Sequence, residues 1–396
     1  MRSFATFARG TLPALCAALF SLVYPLAFAD GCKPEASADP DASILPKHVG
    51  LLVTESTFES SEGFVESFDP TTHVRSQHFG TAFDDDPHLR RLTDPRTNQE
   101  RIFIVGSANG QLTEVDRHGG VVSSFSTLDD GAPAGLTDPL DVAIASDGSL
   151  WITRYLLPTL LVLEPDGKRR ARIDLSKLAP SNGPVSRAPG MSAIAIVEGN
   201  AWVALRRLDK NSKVSAEPSW LVSIDTSSYA ISPPIVLPLA DPFERFGRRQ
   251  SSPTPKLWLA CIGGPRDVPP TPGGLVEIDL AARSARVILA PKDAFVNGFD
   301  LQDETNGYAI LGSLRSADNP TSLVHFDPST GVVDATYYST SLYDLYDVAI
   351  VDDLLLVPDR TKEAPGIEVF ARSDGAHLGK IATHLPPVEL LVLRDQ

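Results

Sequence analysis

Acidic and amide side chains recur at the start of one kind of short apolar strand. Asp141 and Asp347 begin two copies of the same tetrapeptide, DVAI, and Asn297 and Asp300 lie in the similar segment VNGFD. Carboxylate and amide oxygens are the ligands that a hard cation such as calcium prefers. Side chains at strand ends are also well placed to bind a ligand. We therefore name Asp141, Asp300 and Asp347 as candidate ligand-binding residues, and Asn297 and Asp347 as candidate metal ligands.

Charged side chains also recur near the ends of a second kind of strand. Arg154 follows SLWIT, Arg206 follows NAWVAL, Arg360 follows LLLVPD, and Glu55 follows GLLVT. Arginine recognises carboxylates and phosphates through its planar guanidinium. The three arginines are therefore candidate ligand-binding residues, and Glu55 is a third candidate calcium ligand.

Motifs of several hydrolytic enzymes are absent from the sequence. It contains no G-x-S-x-G elbow and no H-E-x-x-H motif, and its eight histidines are scattered without metal-ligand spacing. This pattern favours a protein that is not an enzyme.

These candidate residues lie on a repeat of strands. Seven apolar runs recur at spacings of 47 to 56 residues, and each is followed by a strand that usually ends in an acid and a turn. A third strand comes next, and a strand of the DVAI type precedes the run. The apolar runs are GLLVT, RIFIV, SLWIT, NAWVA, KLWLA, GYAIL and LLLVP, with central residues Leu52, Phe103, Trp151, Trp202, Trp258, Tyr308 and Leu355.

Four short strands in each unit resemble the four-stranded blade of a β-propeller, and the repeats are similar to those of exported bacterial proteins of the NHL and YVTN type. The resemblance implies an all-β fold, a single seven-bladed propeller with antiparallel blades. The first unit lacks its innermost strand, and the chain ends in an apolar strand with no unit of its own. We therefore predict that residues 387–393 close the ring by joining the N-terminal blade, since closure leaves no free strand edge. The segment PFERFGRRQSSPTPK predicts irregular backbone in blade five.

The segment VNGFDLQDETNGYAIL also has a distant resemblance to the gluconolactonase and senescence-marker propellers. In those enzymes an asparagine of the corresponding strand is a metal ligand, and Asn297 occupies that place here. The resemblance implies an alternative function, that of a metal-dependent lactonase or related hydrolase with calcium at the mouth of the central channel.

The repeat separates structural acids from candidate functional ones. Acids at the hairpin after the third strand are expected to accept hydrogen bonds from turn amides. They are Asp69, Asp116, Asp225, Asp279 and Asp327. The long loops, by contrast, all follow second strands or join blades, and in a propeller these loops open on one end of the ring. We call this end the loop-rich face. It predicts a binding surface for an envelope or extracellular protein or for a small ligand.

The N-terminus has the features of an export signal. Arg2 and Arg9 precede an apolar stretch that ends in AFA, which predicts a signal peptide over residues 1–29, a disordered linker over 30–46 and the propeller over 47–396. Two fates remain open. Cleavage after Ala29 would give a soluble periplasmic or secreted protein, whereas acylation of Cys32, in a context that resembles bacterial lipoproteins, would give an outer-membrane lipoprotein. Contact with a membrane is expected only through such an anchor.

The charge excludes one class of partner. The formal net charge is −15, and removal of residues 1–29, which contain two arginines and no acid, changes it to −17. Nucleic-acid binding needs clustered basic residues that neutralise phosphates, so we exclude it. We expect a monomer, and we expect Cys261, in the apolar run KLWLACIGG, to be a buried and inert thiol.

Overall fold

Seven four-stranded antiparallel sheets form a closed ring in a computed structural model of the chain. The structure describes residues 44–57, 63–69, 72, 74–80, 87–129, 137–247, 256–265, 267, 269–315 and 318–394. The predicted signal peptide, Cys32 and most of the predicted linker lie outside these residues. Among the described residues, no helix has the length and hydrophobicity needed to cross a membrane.

Each sheet is one blade, and its strands run from the central channel to the outside. The strand order within each sheet confirms the predicted seven-bladed β-propeller. Blade one contains β1 (Val49–Glu55), β2 (Gly63–Phe68), β3 (Arg75–Gly80) and, as its innermost strand, β28 (Pro387–Arg394). Blade two contains β4 (Pro87–Asp94), β5 (Gln99–Gly106), β6 (Gln111–Val115) and β7 (Val121–Ser126), and blade three contains β8 (Pro139–Ile144), β9 (Leu150–Arg154), β10 (Thr159–Leu163) and β11 (Arg169–Asp174). Blade four contains β12 (Met191–Val197), β13 (Asn200–Leu205), β14 (Trp220–Asp225) and β15 (Ile235–Val236), and blade five contains β16 (Pro242–Gly247), β17 (Lys256–Cys261), β18 (Gly274–Asp279) and β19 (Ser284–Leu289). Blade six contains β20 (Ala294–Leu301), β21 (Gly307–Ser313), β22 (Thr321–Asp327) and β23 (Val332–Ser339), and blade seven contains β24 (Ala349–Val351), β25 (Leu354–Asp359), β26 (Gly366–Ala371) and β27 (His377–Ala382).

The C-terminal strand closes the ring as predicted. β28 pairs antiparallel with β1, with Leu51 opposite Val392 and Val53 opposite Leu390. β28 also contacts both β4 and β24, so the inner strands of blades two and seven meet on either side of it. Pairing of the two chain ends leaves no open sheet edge at the junction.

The hydrophobic core is divided among the interfaces between neighbouring blades. The aromatic residues of the second strands fill these interfaces: Trp151 packs between blades three and four, Trp202 between four and five, and Trp258 between five and six. At the closure, Leu51 and Val53 of blade one pack against Ile367 and Val369 of blade seven. Every interface of the ring is therefore packed, including the one between the first and last blades.

The inner strands carry bulges near the loop-rich face. Register shifts occur in β8, β12, β16, β20 and β28. The shift in β16 spans Pro242 to Phe246, in agreement with the irregular backbone expected in blade five. A bulge changes the direction in which the following side chains point. Several of these bulged strands carry charged residues of the channel.

Gly298 shows how tightly the inner strands of blades six and seven approach each other. A Cβ atom at this position would lie 2.7 Å from Asp347 Cα and 2.7 Å from the Tyr346 carbonyl oxygen. Any side chain would force the two strands apart, so glycine is needed for the close approach that positions Asp347.

Candidate functional site

A buried network of charges crosses the inner strands at the channel wall. Arg90 Nε lies 2.5 Å from Asp141 Oδ1, and Arg90 Nη1 lies 3.0 Å from Glu389 Oε2. His88 Nδ1 lies 2.9 Å from Glu389 Oε1. These four side chains are at most 6% exposed. One arginine thus joins the carboxylates of blades one and three through blade two.

The network continues across the channel to the far side of the ring. Arg245 of blade five donates to Asp347 of blade seven and lies 3.6 Å from Glu389. Burial would raise the pKa of Glu389, but Arg90, His88 and Arg245 outweigh burial and lower its pKa below the ordinary value. Glu389 is therefore ionised, and it lies near both arginines, Arg90 and Arg245.

Three of the channel acids also join each blade to the next. Asp141 accepts a hydrogen bond from the Ile194 amide of blade four (2.8 Å), Asp300 from the Ile350 amide of blade seven (2.9 Å), and Glu389 from the Leu89 amide of blade two (2.9 Å). Buried backbone amides need such partners. These acids hold neighbouring inner strands together.

Asp300 has little compensation for its burial. Desolvation raises its pKa to about 6, although the amides of Ile350 and Leu301 oppose the rise. Burial also raises the pKa of Asp141 and of Asp347, although the arginine partners Arg90 and Arg245 oppose the rise.

The predicted calcium ligands do not fit a calcium site. Asn297 Oδ1 accepts a hydrogen bond from the Tyr343 hydroxyl (2.5 Å), and its Nδ2 donates to the Leu345 carbonyl (3.2 Å). Asp347 is paired with Arg245, and Glu55 accepts from the Leu385 amide (2.6 Å). The oxygens needed for the metal are thus engaged with different protein groups. Within the described ranges, no three or more His, Cys, Asp or Glu side chains form a group that could hold a metal ion.

The predicted arginines lie at the loop-rich face in three different settings. Arg154 is fully buried and holds the loop before blade three, with Nη1 2.8 Å from Asp129. Arg206 lies over the rings of Tyr155 (4.9 Å) and Phe243 (5.2 Å), and Arg360 lies over Tyr346 (5.5 Å). Arg206 also forms an ion pair with the buried Asp241, and the Tyr346 ring beneath Arg360 is buried. Arg154 stabilises a loop.

Glu55 belongs to a buried pair of acids, not to the channel network. It is fully buried, as is Glu66 of the adjacent strand β2. Burial, followed by the proximity of Glu66, raises the pKa of Glu55 to about 10, and the two carboxyl groups share a hydrogen bond. Glu55 Oε1 and Glu66 Oε2 have no other donor. A proton held by Glu55 satisfies both oxygens.

The turn acids behave as the repeat predicted. Asp116 accepts from the amides of His118 and Gly120, and Asp225 accepts from those of Ser227 and Ser228. Equivalent turn bonds are made by Asp69, Asp279 and Asp327. These carboxylates stabilise hairpins and are removed from the set of candidate functional residues.

Arg90, Arg245, Glu389 and Glu66 were not among the residues that the sequence patterns singled out. A charged residue within an otherwise apolar inner strand was the available signal, most clearly Glu389 in PPVELLVL. The network partners of Glu389 lie about 150 or 300 positions away in the chain, so the contacts could not be read from spacing.

A second concave region lies between blades six and seven, away from the mouth. It has a volume of about 430 Å³ and is lined by Tyr308, His325, Tyr337 and Arg372, among others. His325 lies 2.6 Å from Asp334, and Arg372 lies 2.9 Å from Asp353. Its charged groups are thus paired within the protein.

Comparison with solved structures supports the fold. The chain is similar to apo AztD from Citrobacter koseri (11% identity, 87% of this chain and 97% of that chain, TM-score 0.52). It is also similar to hydrazine synthase from Kuenenia stuttgartiensis (14%, 78% and 96%, TM-score 0.54) and to a putative 6-phosphogluconolactonase from Bacteroides uniformis (14%, 87% and 99%, TM-score 0.54). No protein-family model matches the sequence, and no curated protein matches it significantly. Identities this low establish a shared propeller fold.

Proposed function

We propose that this propeller is a non-enzymatic binding protein that acts outside the cytoplasm and engages a partner protein through its loop-rich face. The export signal that the sequence predicts over residues 1–29 supports this location, as a periplasmic or secreted protein or as a lipoprotein anchored through Cys32. Propellers with enzymatic and non-enzymatic functions share one architecture, so the assignment depends on the site and not on the fold.

One observation carries the proposal: the channel charges are paired internally, whereas the loop-rich face presents apolar side chains to solvent. Leu156 is 39% exposed, Leu342 is 51% exposed and Val185 is fully exposed. Leu156 adjoins Tyr155, which packs against Arg206. Aromatic and arginine side chains next to apolar ones are typical of the energetically important part of a protein interface.

The experiment is site-specific photocrosslinking in the native host. A photoreactive amino acid replaces Leu156 or Leu342 on the loop-rich face, and Lys168, which is 80% exposed in a hairpin at the opposite end of blade three, serves as the matched control. We expect the same partner protein to be captured from Leu156 and Leu342 and not from Lys168. Equal capture from all three positions, or from Lys168 alone, contradicts the proposal.

The alternative, a metal-dependent hydrolase, makes a different prediction. If calcium raises the Tm of the wild-type protein and the double variant Asn297→Ala, Asp347→Ala abolishes the rise, the metal-site hypothesis gains support. Because Asp347 is paired with Arg245, we expect calcium to leave Tm unchanged.

A further inference from the structure

Two loops at the loop-rich face of blade four form one surface. Residues 175–190 lead into β12, and residues 206–219 connect β13 with β14. The Lys210 amide donates to the Asn182 carbonyl (3.0 Å), Ser215 Oγ donates to Asn182 Oδ1 (3.0 Å), and the Ser181 amide donates to Glu217 (2.7 Å). We call residues 175–190 and 206–219 the blade-four platform.

A buried arginine fixes the base of the platform. Arg207 is 1% exposed and its guanidinium carbon lies 3.4 Å from the centre of the Trp220 ring. It donates to the Leu178 carbonyl in the first loop, and to the Pro218 carbonyl and Glu217 in the second. Its backbone φ of 53° lies in the left-handed region, which non-glycine residues rarely adopt. Both loops are therefore held in one arrangement before any partner binds, which lowers the entropic cost of binding.

The platform is basic although the chain is acidic. It contains six basic and two acidic side chains. Arg206 is paired with Asp241 and Arg207 with Glu217, so four basic side chains and one acidic side chain remain, a net charge of +3 in a chain of −15. Lys177, Arg187, Lys210 and Lys213 are exposed, and none lies within ion-pair distance of a carboxylate in the described part of the chain. Val185, between these charges, is fully exposed.

We propose that the blade-four platform docks a short acidic segment of a partner protein, with an apolar side chain of that segment packed on Val185. The proposal rests on the proposed function and specifies the chemistry of the partner. Charge complementarity favours an acidic occupant. A short segment fits because an extended polyanion, such as an anionic membrane or a nucleic acid, would also face the acidic remainder of the chain and be repelled.

The probe is a fluorescein-labelled Glu-rich peptide with a central leucine, and its binding to the purified protein is followed by fluorescence anisotropy. The test variant is Lys210→Glu, Lys213→Glu. The matched control is Lys292→Glu, Lys362→Glu, since these two lysines are also exposed, unpaired in the described chain and on the same face but in other blades.

We expect binding that weakens with added salt and that is about tenfold weaker in the platform variant, with no change in the control variant. Replacing the leucine of the peptide by serine is expected to weaken binding to the wild-type protein. Tm measurements verify that both variants are folded.

Three results overturn the proposal: no binding of the peptide, an equal loss in both variants, or tighter binding of phosphatidylglycerol vesicles or of an oligonucleotide. Each leaves the photocrosslinking from Leu156 and Leu342 unaffected, so failure of the platform proposal is distinguished from failure of the proposed function.

Discussion

The pair of buried acids in blade one predicts an unusual dependence of stability on pH. Burial and Glu66 raise the pKa of Glu55 from 4.5 to about 10, so the folded protein binds a proton that the unfolded chain releases. The stability that this proton contributes is fully present below pH 4.5 and is lost progressively as the pH rises toward 10. The free energy of unfolding then falls as the pH rises, by roughly 3 kcal/mol between pH 6 and pH 8.

The variant Glu55→Gln removes this dependence, because glutamine is uncharged and still offers a donor to Glu66. We expect its stability, relative to the wild-type protein, to increase by up to roughly 3 kcal/mol between pH 6 and pH 8. Equilibrium urea unfolding, followed by tryptophan fluorescence at both pH values, measures the difference. A difference that is equal at pH 6 and pH 8 would show that Glu55 is not protonated in the folded protein, and would refute the reasoning.

Glu277 provides a matched control in blade five. It occupies the place of Glu66 in its own blade, in GLVE instead of GFVE, but lies 3.1 Å from Lys256 and 2.9 Å from Arg286. Burial opposes ionisation, yet Arg286 and Lys256 outweigh it and lower the pKa of Glu277. Glu277→Gln is therefore expected to destabilise the protein by the same amount at pH 6 and at pH 8.

Three further predictions test the ring and its network. Arg90→Met leaves two buried carboxylates without their main partner and should lower the free energy of unfolding in urea by about 3 kcal/mol or more. The same change at the exposed Arg315, which is paired with Asp293, should lower it by less than about 1 kcal/mol. Equal losses would contradict the importance of the network. Truncation after Leu385 removes β28 and exposes the edge of β1. The cooperative thermal transition measured by circular dichroism should then be lost, and it should return when a peptide of residues 386–396 is added. A transition that is retained without the peptide would contradict closure of the ring by β28. Burial raises the pKa of Cys261 above its ordinary value. In a variant whose other two cysteines are replaced by serine, a thiol reagent should therefore label Cys261 only after unfolding. Labelling of the native protein would show that the thiol is accessible.

The sequence predicted the fold because each blade repeats the same physical requirement. A blade needs two buried strand faces and a tight outer hairpin, and these produce the apolar runs at Trp151, Trp202 and Trp258 and the turn acids such as Asp225. Ring closure followed from counting strands, since one end lacked the strand that the other end supplied. These features depend on local pattern and period, which a single sequence displays.

The partners of the channel residues could not be predicted in the same way. The period of a strand says which face a side chain is on, but not which residue of another blade lies opposite. Asp141, which lies at the bulge of β8, meets Arg90 of the neighbouring blade, 51 residues earlier in the chain. The sequence pattern predicted that Asp141 and Asp347 lie near the channel mouth, and we named both as candidate ligand-binding residues. In the structure both are bound by arginines.

Comparison between blades shows where the repeat departs from its own rule. In blade seven, Lys380 lies 2.7 Å from Asp359 and 3.1 Å from Glu368, so one lysine neutralises two neighbouring acids. In blade one the residue paired in register with Glu66, as Lys380 is with Glu368, is Gln77. The nearby cation is Arg75, which lies 3.2 Å from Glu66 Oε1, and its charge lowers the pKa of Glu55 less than burial and Glu66 raise it. Gln77→Lys should supply a second cation and lower the pKa of Glu55, because an ammonium group close to a carboxylate favours its ionised form. The fall in stability between pH 6 and pH 8 should then become smaller than in the wild-type protein. An unchanged fall would contradict the idea that a lysine in register with Glu66 offsets the burial of Glu55.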